Sequence, residues 1–396
     1  MIITPRIPYP PYRGDKLKIF NLSKILTKSN DVHIVTFYRN SKDKELIKPL
    51  EELGIKVSLV RLTLFESILN ALISIFQEIP FQVAWYKSKK MTKTVNNLLK
   101  TDKFDVVYHH LIRSAQYLSN IQSNYLLNVI DFTDAVSLYL SRMIEQEKNI
   151  IKKIFIKSEF KRITKYEKIA EKFDTLFICS EIDKKFLMEK RIKLDIQILN
   201  NGIDTDYFFG SELEFDHNRI IFTGNMPYYA NSDAAIYFAN EIFPLILKKD
   251  NSIKFYIVGQ QPPLRVKNLA SENIIVTGFV KDIKGEYLKS AVTVAPMRFG
   301  AGTLNKVIES IALGVPVVTT SMAVAGLPKE LEKYVRIAES PDDFAVSVQE
   351  ILEDKKFRTE VMVEGKEIIR HLLSWDHIVC DFEKYLRIKL EEKKNS

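Results

Sequence analysis

Cysteine is scarce in this chain: Cys179 and Cys380 are the two that occur among 396 residues, far apart and in apparent strand and helix contexts. That rules out a disulfide framework, and both thiols are expected to be buried, in a reducing compartment. No uninterrupted run of about 18 apolar residues is present, so no spanning helix is expected. No charged n-region followed by an apolar h-region opens the sequence, which leads to the expectation of a cytoplasmic protein. Low-complexity segments and repeats of fixed period are also missing. No G-x-G-x-x-G follows an early strand, which argues against a dehydrogenase.

What is present is a globular composition, 46 % hydrophobic and 27 % charged, long enough for two domains. The net charge of +8 permits attraction to nucleic acid, anionic lipid or a phosphorylated substrate without choosing among them. Part of the excess is concentrated in 142–172, where ten Lys and Arg stand against five Glu, interleaved with Ile150, Ile151, Ile154, Phe155, Ile156 and Phe160. Such a basic amphipathic helix either lies on a membrane or packs on the core with a solvated lysine face. The apolar stretch 62–79 is interrupted by Glu66, Asn70, Gln77 and Glu78. It reads as core, or as a surface for a greasy acceptor.

Short apolar runs at 2–4, 32–37, 55–60, 104–108, 125–131, 175–179 and 195–199 alternate with helical periodicity, implying a mainly parallel, doubly wound sheet. Ligands in such sheets sit beyond the carboxyl ends of strands. There the first loop, PRIPYPPYRGDK, holds Gly14, whose backbone could approach a phosphate with Arg13 and Lys16 beside it. The plainer alternative is a proline-rich surface loop. His109 and His110 end the strand FDVVY, and Asp131 and Asp134 in DFTD are either acid/base or hydroxyl-binding groups or a simple turn and helix cap. At 200–204 the sequence NNGID makes a tight turn that signals a change of domain. A second alternating series follows, with strands at 219–223, 254–258, 274–277, 291–295, 315–319 and 335–338.

Residues 291–320 form the most informative stretch, a strand, loop, helix and strand in succession. Gly300, Ala301 and Gly302 let backbone approach a ligand, Thr303 is expected to cap the helix, and Val307, Ile308, Ile311 and Ala312 form its buried face. Lys306 sits in the first turn, where the macrodipole disfavours a cation by roughly 0.3–1 kcal/mol. A bound anion reverses that cost, because helix-start N–H groups already favour phosphate and Arg298 could add a bidentate donor from the loop. Glu309 lies one turn on, placed to accept hydrogen bonds from sugar hydroxyls. Alternatively Lys306 and Glu309 are a solvated i,i+3 ion pair.

Over most of the chain these segments resemble the retaining GT-B glycosyltransferases of family 4. The resemblance is carried by FTGNMPYYANSDAAIYFANEIFPLI, FYIVGQQPP, VTGFVKDI and VAPMRFGAGTLNKVIESIALGVPVVTT in the family's order and spacing, and by TPRIPYPPYRGDKLKIF, similar to the first loop of exopolysaccharide-associated sugar transferases. It implies two doubly wound Rossmann-like domains facing across a cleft. An acceptor-side domain would span 1–200, a donor domain 201–373, and a terminal helix, 374–396, would cross back to the first.

The resemblance further implies a nucleotide-diphosphate sugar as donor, a glycan or lipid-linked acceptor, and transfer with retained configuration, with no metal or other cofactor and no nucleic acid as partner. It implies ribose binding by Glu309, diphosphate contacts from Lys306, Arg298 and Gly14, a nucleobase bordered by Phe279, and His109 or His110 near the donor sugar. Gly224 and Asn225 of FTGN, with Gly300, Ala301, Gly302, Thr303 and Asn305, complete the implied donor-binding set. Two positions depart from the family pattern. Ala301 stands where the first Glu of its Glu, seven residues, Glu motif belongs, and Asn225 stands where many members carry a basic residue. An epimerase or a non-catalytic nucleotide-sugar-binding protein would use the same donor site. Peripheral contact with the inner face of an anionic membrane is compatible with the basic segment.

Overall fold

The apolar runs become parallel strands in the computed structural model, which describes residues 1–119, 125–190, 192–209, 214–299, 304–324 and 326–395. The chain divides into two units, Met1–Asn200 with Ile378–Ser396, and Asn201–His377. Each is built on one parallel sheet of the doubly wound kind.

In the first unit the strands are β1 (Ile2–Thr4), β2 (His33–Tyr38), β3 (Lys56–Arg61), β4 (Val106–His110), β5 (Leu127–Thr133), β6 (Thr175–Ile178) and β7 (Ile196–Ile198). They lie in the order β3-β2-β1-β4-β5-β6-β7, with Ile3 opposite Val35 on one side and His109 on the other. The second unit holds β8 (Asp216–Thr223), β9 (Lys254–Val258), β10 (Ile274–Gly278), β11 (Ser290–Ala295), β12 (Val317–Thr319) and β13 (Val335–Ile337), in the order β10-β9-β8-β11-β12-β13. β6 and β11 are buried along their whole length, as strands covered on both faces must be. In each sheet the order reverses direction once, between β1 and β4 and between β8 and β11. At such a switch point the loops leave on opposite faces and open a crevice at the carboxyl ends.

The terminal helix Trp375–Lys394 seats Phe382 and Tyr385 against Phe177 of β6, with ring centroids 5.1 and 5.5 Å apart. Lys393 near its end pairs with Asp174 at 2.7 Å. Cys179 is buried but Cys380, on this helix, is exposed, so the expectation of two buried thiols holds for one. The basic segment is not one helix. It is divided among Val136–Gln146, Ile150–Tyr166 and a 3-10 turn at Glu167–Lys172, because Asn149 turns its side chain to cap a new helix by accepting from the Lys152 amide at 3.0 Å.

Candidate functional site

In the first unit, polar groups gather at the carboxyl ends of β1, β4 and β5. Neighbouring residues on a strand point to opposite faces, so the two histidines part company. His109 packs edge-on against Phe173 at 5.0 Å, with Nδ1 3.1 Å from the Ser114 carbonyl, which fixes that nitrogen as the donor. His110 instead meets Thr4 Oγ1 at 2.9 Å. Burial lowers both imidazoles to about pKa 4, against the pull of Asp131 and Asp15 on His110, so both are neutral at physiological pH. Among the described residues neither Nε2 has a hydrogen-bond partner. Of the pair, His110 is the one among charged groups at the switch point.

Below it lies a fully buried ion pair. Lys18 Nζ is 2.7 Å from Asp131 Oδ2 and donates to the Leu199 carbonyl at 3.0 Å, while Asp131 also accepts from Tyr108 and from the Thr133 amide at 2.6 Å. Asp131 thus both holds the turn that follows it, through the Thr133 amide, and anchors Lys18. Asp134 accepts from Cys179 Sγ at 3.3 Å, and burial together with Asp183 pushes its carboxyl up to about 7. Leu111 and Thr133, the residues at the exits of β4 and β5, hold positive φ angles of 66° and 62°, a strain that side-chain-bearing residues keep where surrounding structure imposes it.

Gly14 opens the helix Gly14–Leu26, exposed, with open space where a Cβ would stand. Beside it Arg6 and Arg13 both engage Asp15. Arg113, its guanidinium 5.6 Å from the Tyr86 ring centre, has a buried Nε with no partner among the described residues. Arg6, Lys18 and Arg113 were not legible as a group in the sequence, where they are scattered over more than a hundred positions.

In the second unit, the glycines after β8 and β9 bring two loops into contact. A Cβ on Gly259 would lie 1.8 Å from the Gly224 carbonyl oxygen, and one on Gly224 would lie 2.8 Å from Asn231 Cγ. Asn225 accepts from Gln260 Nε2 at 3.1 Å, and its carbonyl accepts from Asn231 Nδ2 at 3.1 Å. This close approach positions Asn231, whose Oδ1 receives a hydrogen bond from Lys306 Nζ at 2.7 Å. Gly259→Ala is therefore expected to destabilise the unit by roughly 1–3 kcal/mol. Thermal unfolding checks this, and an unchanged midpoint would show that the two loops need not touch.

Lys306 occupies the second position of the helix Asn305–Ala312 and is buried. Its ammonium also lies 3.8 Å from Met297 Sδ and 4.3 Å from the centre of the Phe222 ring. No carboxylate among the described residues is within ion-pair distance of it. Burial lowers its pKa to about 7, with Glu309 opposing. Glu309 is half-buried and accepts from the Tyr287 hydroxyl at 2.9 Å; burial raises its carboxyl, against that hydrogen bond and Lys306. The pair is thus not a solvated surface bridge. Asn305 accepts from Asn201 Nδ2 at 3.2 Å.

Two expectations need correction. Arg298 does not offer its Nε–Nη2 edge to a ligand, because Nε and Nη2 already make that fork with Asp233 at 3.0 and 2.6 Å. The helix N-cap position is Leu304, with no side-chain cap. Gly300, Ala301, Gly302 and Thr303 lie outside the described residues. Phe279 follows the positive-φ Gly278 and is half exposed, a flat apolar face at the end of β10. Asn231, Asp233 and Tyr287 complete the cluster and went unread in the sequence. The hint was that Asn and Asp recur inside the helix Tyr229–Tyr237, which buries both. Among the described residues no group of three or more His, Cys, Asp or Glu is placed to hold a metal ion.

Residues 217–354, which include most of this second cluster, match the family model described as Glycosyl transferases group 1. An uncharacterized 44.6 kDa protein in the cps region of Klebsiella pneumoniae is 23 % identical over 352 residues, 82 % of this chain and 84 % of that one. Among solved structures, sucrose-phosphate synthase from Thermosynechococcus elongatus is similar with a TM-score of 0.72 at 14 % identity, over 99 % of this chain and 98 % of that one. Anabaena HepE in complex with UDP-glucose is similar with a TM-score of 0.66 at 11 % identity, over 98 % of each chain. The two parallel-sheet units have the GT-B fold.

Proposed function

We propose that this chain is a retaining glycosyltransferase that moves a sugar from a nucleotide-diphosphate donor, held by the second unit, to a glycan or lipid-linked acceptor in cell-surface polysaccharide synthesis. The observation that carries the reading is Lys306, a buried cation at a helix start with a neutral amide for its partner. An ammonium left in such a place is destabilised until an anion joins it. A diphosphate supplies that anion and accepts from the first backbone N–H groups of the helix. Glu309, one turn further, accepts from ribose hydroxyls, and Phe279 offers a ring to the nucleobase.

In this reading Lys306 stabilises the diphosphate as it leaves, and the acceptor hydroxyl attacks the same face of the sugar. Electrostatic stabilisation of the leaving group carries most of the catalysis. His110, neutral and with an Nε2 that has no partner among the described residues, is the first unit's candidate for contact with the sugar; Gly14, with no side chain, would offer its amide to the phosphate. No protein nucleophile and no metal is assigned a step. The match to the group 1 model and the likeness to HepE, whose structure holds UDP-glucose, support a nucleotide sugar as donor. The cps-region relative supports a polysaccharide product.

Calorimetric titration with UDP tests the site. Wild-type chain is expected to bind, and Glu309→Ala to bind about tenfold or more weakly, the worth of one hydrogen bond to a charged group. Folding should survive, since the Tyr287 hydroxyl keeps Thr223 Oγ1 at 2.5 Å. Equal affinity in the two proteins would remove the ribose role. Retention is read from the anomeric proton of the product by NMR.

A further inference from the structure

The stretch 62–79 carries a feature that the donor site does not use. Its helix, Leu64–Ile73, is firmly built, since Thr63 and Glu66 cap it reciprocally and Asn70 Nδ2 donates to the Lys87 carbonyl at 2.9 Å. Yet its amphipathicity is inverted. Ser67 and, just after the helix, Ser74 face the core, whereas Phe65, Leu69, Leu72 and Ile73 face out. The following turn leaves Phe76 92 % exposed. A helix that packs small polar residues inward and large apolar ones outward has its apolar face directed at something other than its own core.

A second apolar surface adjoins it. The helix Ile150–Tyr166 exposes Ile150, Ile151 and Ile154, and Phe155 stacks on Phe81 at 5.2 Å. Arg162 of that helix donates to the carbonyls of Ser74 and Ile75 at 3.0 and 3.3 Å, and Lys165 pairs with Glu78, so the two segments form one continuous surface of the first unit. Lys152, Lys157 and Lys161 are exposed on the same helix. Its single acidic residue, Glu159, is buried and accepts from the Phe81 and Gln82 amides.

We propose that this composite face seats the first unit on an anionic lipid surface, the apolar side chains entering the headgroup boundary and the lysines pairing with lipid phosphates. Charge selects this occupant. Exposed apolar residues sharing a helix with exposed lysines match an anionic bilayer, whereas a second copy of a chain carrying +8 would bring the same lysines against each other. Among the described residues no helix is long and apolar enough to cross a membrane, so the contact is peripheral. Nothing in this proposal depends on the donor site.

Co-sedimentation with vesicles of phosphatidylcholine alone, or mixed with phosphatidylglycerol, tests it. The chain is expected to sediment with the anionic vesicles and to leave them as salt rises. Leu72→Ser with Phe76→Ser should lower the partition coefficient about tenfold or more. Lys152→Gln, Lys157→Gln and Lys161→Gln together should lower it on the order of a hundredfold. All five positions are exposed, so thermal midpoints should stay where they are. Failure to bind anionic vesicles, or binding that neither set of changes affects, would overturn the proposal. So would a dimer in sedimentation velocity that Leu72→Ser with Phe76→Ser dissolves, which would give the face to a second copy.

Discussion

Replacing Lys306 by alanine is expected to lower turnover of a nucleotide-sugar donor by about 10²-fold or more, the usual consequence of removing one group that stabilises developing charge. Stability should not fall with it. In the unliganded chain this ammonium is buried beside Asn231, Met297 and Phe222, so its removal relieves a cost. The pH dependence has a definite sign. The pKa of Lys306 is about 7 in the folded chain against its ordinary 10.5 when unfolded. Between those values the unfolded chain binds more protons, so this residue makes the protein more stable as pH rises from about 7 towards 10.5. Lys306→Ala should flatten that slope while lowering turnover. Steady-state rates and urea unfolding at pH 7 and pH 9.5 measure both, and full activity in a folded variant would sink the phosphate assignment.

The second large effect is on stability. Lys18→Met should destabilise the first unit by about 3–5 kcal/mol, because it leaves the Asp131 carboxylate buried without its cation. The remaining donors, Tyr108 and the Thr133 amide, are hydrogen-bond partners and do not neutralise it. Adding Asp131→Asn to Lys18→Met should restore part of the loss, since the uncompensated charge is then gone. Urea unfolding monitored by circular dichroism checks the series. A change below about 1 kcal/mol for Lys18→Met would mean that water reaches the pair.

Much of the scaffold was legible because it depends on local pattern. Parallel strands covered on both faces must be apolar along their length, so runs such as residues 254–258 and 291–295 declared themselves, with boundaries off by a residue or two. The buried face of Asn305–Ala312 followed from spacing, and Gly314, at φ 72°, ends that helix as a residue without a Cβ can. What escaped depends on residues far apart in the chain. Both edges of Arg298 look available until Asp233, 65 positions earlier, takes one of them. The partner of Lys306 is Asn231, and no spacing rule joins them. Orientation escaped as well: periodicity announces that Leu64–Ile73 has an apolar stripe, but not that the stripe faces outward. The break after Gln146 was hidden because capping by Asn149 competes with helix continuation, and a continuous charge pattern masks it.

The most direct test of the central claim is proton linkage on nucleotide binding. A diphosphate beside Lys306 should restore the ammonium's affinity for its proton, so at pH 8 a chain whose Lys306 titrates near 7 must take up a proton as it binds. Calorimetric titration of UDP at that pH, in buffers of different ionisation enthalpy, is expected to show uptake approaching about one proton per nucleotide, lost in Lys306→Ala. Binding with no proton uptake, or with the same uptake in the variant, would contradict the assignment of Lys306 to the diphosphate.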